Sequence, residues 1–221
     1  MSGGKAAGAL AGLWLAASCT AAAWAQPFEA AGLRFSDELG GITILDVWGS
    51  GTPEDPITVV EEMTDPRGGV LTIRGLTAAF PNLIRTGHQS GFVLRKEVRN
   101  LTGREWLTFE IELRHEPGTP SDYGDGLSFG QEPGGDRPFA SDLLGEHTKQ
   151  FEPQDRVAFG GGRVAPGETV WFEVMITHSW ALGRDVFVLQ EPDPRLARLT
   201  PPGPRRRFAA ADAPRAAGRG S

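Results

Sequence analysis

The chain has 221 residues, 28 acidic side chains against 22 basic ones, a formal charge of −6 and one cysteine. A single cysteine excludes an internal disulfide, and with it the small disulfide-stapled secreted domain. The acidic surplus excludes nucleic acid as a partner of the charged body, because a phosphate backbone would be repelled.

In chain order, Lys5 is followed by an uncharged run from Ala6 to Ala23 and then by Ala23-Trp24-Ala25. A charged start, an apolar stretch and a small-x-small site form the pattern a signal peptidase reads. Export is therefore expected, with residues 1–25 removed and Gln26 as the new amino terminus. The run is rich in Ala and Gly and ends at Pro27, which is short and weakly apolar for a spanning helix, so no transmembrane span is expected in the mature chain. The alternative reads Leu15-Ala16-Ala17-Ser18-Cys19 as a lipobox, with Cys19 anchoring a lipoprotein. An exported domain without disulfides fits a bacterial periplasm or the bacterial exterior.

Charge is segregated along the mature chain. Residues 195–221 hold seven Arg against Asp212 alone, a net of +6, which leaves residues 26–194 at −13 once Lys5 has gone. The tail is also rich in Pro, Gly and Ala and poor in large apolar residues, so it is expected to be disordered. Residues 26–194 are long enough for a single domain with a core of its own.

Strands are expected at 42–47, 57–63, 70–74, 92–98, 107–113, 127–129, 157–159, 170–177 and 186–189, separated by Gly- and Pro-rich turn clusters. Helix is expected to be minor, at 81–84 and 140–145. Alternation carries the argument. Leu107, Phe109, Ile111 and Leu113 share one face, and Thr108, Glu110 and Glu112 share the other. Val170, Phe172, Val174 and Ile176 repeat the device against Thr169, Trp171, Glu173 and Met175. Strands wet on one side belong to antiparallel sheets. The fold class expected is all-β, an antiparallel two-sheet β-sandwich, immunoglobulin-like or jelly-roll, with a barrel as the remaining alternative.

Asn100-Leu101-Thr102-Gly103-Arg104-Glu105-Trp106, then Phe109, and later Asp125-Gly126-Leu127-Ser128-Phe129, form N-x-T-G-x-x-W-x-x-F and D-G-L-x-F segments. With the Val164-to-Thr169 turn, they resemble bacterial secreted β-sandwich proteins of the kind often carrying PEP-CTERM sorting tails. The resemblance implies a sandwich and says little about activity. This sequence contains no Pro-Glu-Pro.

Chemistry is sparse. His88, His115, His147 and His178 are dispersed, and with no cysteine beyond Cys19 they do not form a zinc pattern. No Gly-x-Ser-x-Gly elbow is present, and Gly160-Gly161-Gly162 is not followed by the GK[ST] of a phosphate loop. Asn100-Leu101-Thr102 matches a glycosylation acceptor but is read as turn chemistry. Asp122, Asp125, Asp136 and Asp142 lie among glycines and are the metal candidate, as hard oxygen ligands for calcium. The competing reading makes them turn formers in a solvated loop. Trp106, Trp171 and Trp180 are weighed as a carbohydrate-stacking face against a satellite cluster under a loop.

Two function classes remain. One is an exported noncatalytic binding or structural module of the bacterial envelope, its partner an envelope protein or a glycan. The other is a carbohydrate-active hydrolase on a jelly-roll scaffold, with paired carboxylates such as Asp122 and Glu132. No cofactor is expected, calcium being the one candidate weighed, and no catalytic residue is assigned.

Overall fold

The computed structural model describes residues 27–122, 124–130, 137–148, 155–180 and 183–194. Residues 1–26, with Cys19 among them, Glu132, Asp136 and residues 195–221 lie outside them. The described chain builds thirteen strands: β1 Phe28–Ala30, β2 Leu33–Ser36, β3 Ile42–Trp48, β4 Ile57–Met63, β5 Gly69–Arg74, β6 Ser90–Asn100, β7 Phe109–Arg114, β8 Leu127–Phe129, β9 Ala140–Ser141, β10 Glu146–His147, β11 Arg156–Gly160, β12 Thr169–His178 and β13 Val186–Pro192.

They form two sheets packed together. The seven-stranded sheet runs β1-β2-β5-β13-β7-β11-β10, and the six-stranded path runs β3-β4-β6-β12-β8, with β9 beside β12. Pairing is antiparallel except between β4 and β6, which run parallel from Ile57↔Leu94 to Met63↔Asn100. That pair exists because the chain crosses to the other sheet as β5 before returning as β6. All-β sandwich architecture is therefore what the alternation foretold.

The inner faces match the expected phases. Phe109, Ile111 and Leu113 on β7 and Val170, Phe172, Val174 and Ile176 on β12 are buried in one core. Phe109 and Phe172 stack across the sandwich with ring centroids 4.4 Å apart. Four short strands went unforeseen. The β1–β2 hairpin turns through Ala31 and Gly32, both at positive φ (51° and 81°), the geometry of a two-residue loop whose twist suits its strands.

Several outward-face expectations are corrected. Leu107 is 56% exposed rather than in the core, because β7 begins only at Phe109. Asp193 Oδ1 accepts from the N–H groups of Leu107 and Thr108 at 3.0 Å each and from the Thr108 hydroxyl, which holds that segment out of the strand. Trp106 takes the inner place instead, bridged to Val164. Glu110 and Glu112 are buried rather than wet. They sit on a strand flanked by β13 and β11 and ion-pair with Arg156 and Arg114 (3.5 and 2.7 Å). Met175 is buried with Ile84 and Val93 in a second small cluster. Neither expected helix forms: residues 81–84 make a bridge and turns, and residues 140–145 begin with β9.

Candidate functional site

The Asn-x-Thr-Gly corner is structural. Asn100 is fully buried at the end of β6, and its Nδ2 donates to the carbonyls of Arg104 (2.7 Å) and Val164 (3.1 Å). Its Oδ1 accepts from the Thr102 amide and hydroxyl, and the Thr102 hydroxyl oxygen accepts from the Trp106 indole N–H at 3.0 Å. Gly103 supplies a positive φ of 72°. Asn and Thr shape the turn, and Trp ties it to the core. An Asn with both polar atoms engaged and no exposure is closed to a glycan-transferring enzyme.

The described aspartates are used the same way. Asp122 Oδ1 accepts from the Gly124 N–H at 2.7 Å. Asp125 Oδ1 accepts from the Leu127 N–H at 2.9 Å, and its Oδ2 accepts from the Ser121 hydroxyl. Asp142 Oδ1 accepts from Leu143 N–H and, at 3.0 Å, from Trp171 N–H near the start of β12. The Asp125 loop instead meets the far end, where Ser179 N–H donates to the Gly126 carbonyl. Eight residues of strand separate those anchors, roughly 26 Å at ~3.3 Å per residue. Asp142 is thus remote from Asp122 and Asp125, and no group of three or more His, Cys, Asp or Glu able to hold a metal occurs among the described residues.

The tryptophans do not make one face. Trp106 is in the core, and its neighbouring cavity, lined by Pro66, Thr102, Arg104, Trp106, Pro192 and Asp193, has a volume of about 10 Å³, about one water. Trp171 lies under the Arg95 guanidinium, 4.9 Å from its ring centroid, and Arg95 also pairs with Glu173 at 2.6 Å. Trp180 is exposed and packs over Gly126, where a Cβ would stand 2.9 Å from the indole. Trp171 and Trp180 stand at opposite ends of β12, roughly 30 Å of chain apart at ~3.3 Å per residue.

Two polar clusters that the sequence reading missed span the sandwich instead. His115 follows β7 and His178 ends β12, each in the inward phase of its strand, and their Nε2 atoms are 3.1 Å apart. Proton positions follow from the neighbours. Trp180 N–H donates to His178 Nδ1 at 3.1 Å, so the His178 proton sits on Nε2 and points at His115. His115 Nδ1 is 3.2 Å from the Asp185 carbonyl, which only accepts, so that nitrogen donates and Nε2 receives. Every ring nitrogen of the pair has a partner. Burial, reinforced by His115, pushes the His178 pKa down to about 4. His88 is also held low, by burial and then by Arg137.

The second cluster is deeper. Lys96 on β6 and Glu61 on β4 are both fully buried and pair at 2.8 Å. Burial pushes the Glu61 carboxyl up and the Lys96 ammonium down, each partner opposing the shift in the other. Gln190, on β13 in the facing sheet, is equally buried and its carboxamide lies close enough to act on Glu61. Gln190 is a weak, poorly aligned hydrogen-bond partner of Glu61 and opposes the upward shift less than Lys96 does. A signal for this cluster was present, since Lys96 interrupts the inward series Phe92, Leu94, Val98 and Glu61 interrupts Ile57, Val59, Met63.

No family model, curated protein or solved structure matches the chain. Function has to be argued from these residues alone.

Proposed function

We propose that this protein is an exported, noncatalytic module of the bacterial envelope that binds a partner protein through the edge of its six-stranded sheet. One observation carries the reading. Strand β3 is the terminal strand of that sheet, and Leu45 and Trp48 on it, with Leu39 just before it, are 50%, 45% and 46% exposed. The register with β4 shifts between Ile44 and Asp46, a bulge that resets the phase so that Val47 turns inward and Trp48 joins Leu45 on the outer face. Exposed apolar side chains on an edge strand offer both backbone pairing and side-chain anchorage to an extended partner segment. The leader-like residues 1–25 and the resemblance to secreted sandwich proteins support the envelope location. The aspartates nearest to a hydrolase arrangement hold backbone turns, which favours binding over catalysis.

The test is retention on isolated envelope fractions. Wild type should be retained, and Leu45→Asp with Trp48→Ala should not be, while both melt alike. Retention abolished by glycan digestion rather than by these substitutions would make the ligand a carbohydrate. Release of reducing ends from envelope polysaccharide, lost in Asp122→Asn, would replace the reading with hydrolysis.

A further inference from the structure

The exposed β3 edge combines apolar side chains with carboxylates that hold its backbone. Leu39, Leu45 and Trp48 are about half exposed. Beside them, Ile44 N–H donates to Asp37 Oδ2 at 2.9 Å and Val47 N–H to Asp46 Oδ1 at 2.8 Å. Just past the strand, Ser50 N–H donates to Asp55 Oδ2 at 2.9 Å. An incoming strand reaches those donors only by drawing the carboxylates away, which a cation can do. Among the described residues, no Lys or Arg pairs with Asp37, Asp46 or Asp55.

The same sheet shows what completes such a surface. The Arg95 guanidinium lies 4.9 Å from the Trp171 ring centroid and pairs with Glu173 at 2.6 Å. A guanidinium gains from an aromatic face and a carboxylate at once. Asp46 and Trp48, both exposed on β3, are that combination without its arginine. The chain carries the missing group, because residues 195–221 hold seven Arg against one acid, beside a body at −13. Reach is sufficient. Gln190 on β13 pairs with Gly69, and a Cβ on Gly69 would stand 2.9 Å from the Ile42 nitrogen, so β13 ends beside the start of β3. The stretch from Pro194 to Arg207 extends up to roughly 43 Å at ~3.3 Å per residue, against roughly 20 Å for the whole of β3.

We propose that residues 195–221 dock on the β3 edge of their own chain, with arginines on Asp46 and its neighbours and over Trp48. They occupy the edge until a partner displaces them. Occupation of this kind rests on the reading of β3 as the partner site and adds its regulation. A second copy is the poorer occupant, since two bodies at −13 repel each other. Tethering also presents the arginines at an effective concentration on the order of millimolar.

Paramagnetic broadening in the full-length chain tests this. With Cys19→Ser, Ala209→Cys supplies the only thiol for a nitroxide label. The Leu45 and Trp48 amide resonances should lose most of their intensity, while His147 on β10, at the far edge of the other sheet, keeps its own. The loss should reverse in ~1 M salt, where the screening length falls to about 3 Å. It should also disappear at Leu45 when Asp46→Asn is combined with Trp48→Ala, and when Arg205, Arg206 and Arg207 are all changed to Ser. Equal broadening at Leu45 and His147, or broadening that survives either set of substitutions, would overturn the proposal. So would broadening of an isotope-labelled chain by a nitroxide on another molecule, which would make the contact one between copies. On envelope fractions the triple arginine variant should be retained several-fold better than wild type. Weaker retention would put the arginines on the envelope and overturn the covering role. Broadening without retention of any variant would remove the partner and leave the docked segment standing. Retention without broadening would remove the docked segment and leave the partner.

Discussion

The sandwich is crossed by polar groups at two places, and they handle burial in opposite ways. At the end, the His115 and His178 rings face each other, and both nitrogens of each ring find partners. In the middle, Lys96 and Glu61 keep each other as an ion pair, and Gln190 opposite gives Glu61 only a weak hydrogen bond. The difference is one of reach. The histidines sit where backbone groups of Asp185 and Trp180 end their strands and turn inward, so hydrogen-bond partners are available. The central cluster is walled by strand backbones that already pair with one another, so its side chains have only each other. A complete network is stable as it stands, whereas an incomplete one leaves its ion pair to offset the cost of burial.

The sharpest way to break the comparison is to remove the central pair while keeping its volume. Glu61→Leu alone leaves a buried amine without its partner and should cost about 3 to 5 kcal/mol. For an ion pair and nothing more, Lys96→Met combined with Glu61→Leu would recover that loss or even stabilise. The double variant should therefore melt at or above wild type in denaturant titrations. Melting well below wild type would show that the centre holds more than an ion pair.

Apolar contacts beside the centre set the scale for that loss. Phe109→Ala or Phe172→Ala removes one ring of the stacked pair and should cost about 3 to 5 kcal/mol. Leu107→Ala, at an exposed position, should fall within about 0.5 kcal/mol. Equal costs at Leu107 and Phe109 would put the start of β7 in the wrong place.

The histidine end should show itself through pH. His178 titrates near 4 in the folded chain against 6.5 in its ordinary state, so the unfolded chain binds the extra proton between those values. The contribution is complete above pH 6.5 and is lost as pH falls towards 4, up to roughly 3 kcal/mol for a shift of that size. His178→Gln should flatten the fall in stability between pH 7 and pH 5. Ring-proton resonances give the midpoint directly, and a His178 midpoint above 6 would mean that the pair is open to water.

The Asn100 corner is the smaller test of a completed network. Thr102→Val keeps the shape and leaves the buried Trp106 indole N–H without its acceptor, at a cost of about 1 to 3 kcal/mol. An unchanged melting temperature would show that a water replaces the hydroxyl.

How much of this was readable in the sequence follows from range. Nine strands, down to the three residues of β8, declared themselves because alternation and β-branched runs are local, and Phe109, Ile111 and Leu113 kept their inward phase. β9 and β10, two residues each, are too short to alternate, and β1 and β2 are hardly longer. The Leu107–Trp106 exchange depends on Asp193, 86 residues from Leu107, and the histidine pair on residues 63 apart, so neither leaves a local trace. Lys96 and Glu61 did leave one, a charge in the inward phase of an apolar strand. What the sequence lacked was the partner: nothing local says that Glu61 faces Lys96, or that Gln190 stands opposite.

The smallest effect is expected at the loop that first drew attention to calcium. That ion takes six to eight oxygen ligands. Asp125 spends Oδ1 on Leu127 N–H and Oδ2 on Ser121, Asp122 spends Oδ1 on Gly124, and Asp142 stands near the other end of β12 against Trp171 N–H. Recruiting these carboxylates would mean giving up the hydrogen bonds that shape the loop, so binding would oppose the fold locally. Melting temperatures in millimolar calcium and in chelator should coincide. Asp125→Asn should lower both equally, because the loss is of turn hydrogen bonds. A ligand confined to the native state would stabilise by about 2.7 kcal/mol at a hundredfold excess over Kd. A calcium-dependent rise of that kind, abolished by Asp125→Asn, would show that the loop rearranges to bind, and Asp122 and Asp125 would become ligands rather than turn formers.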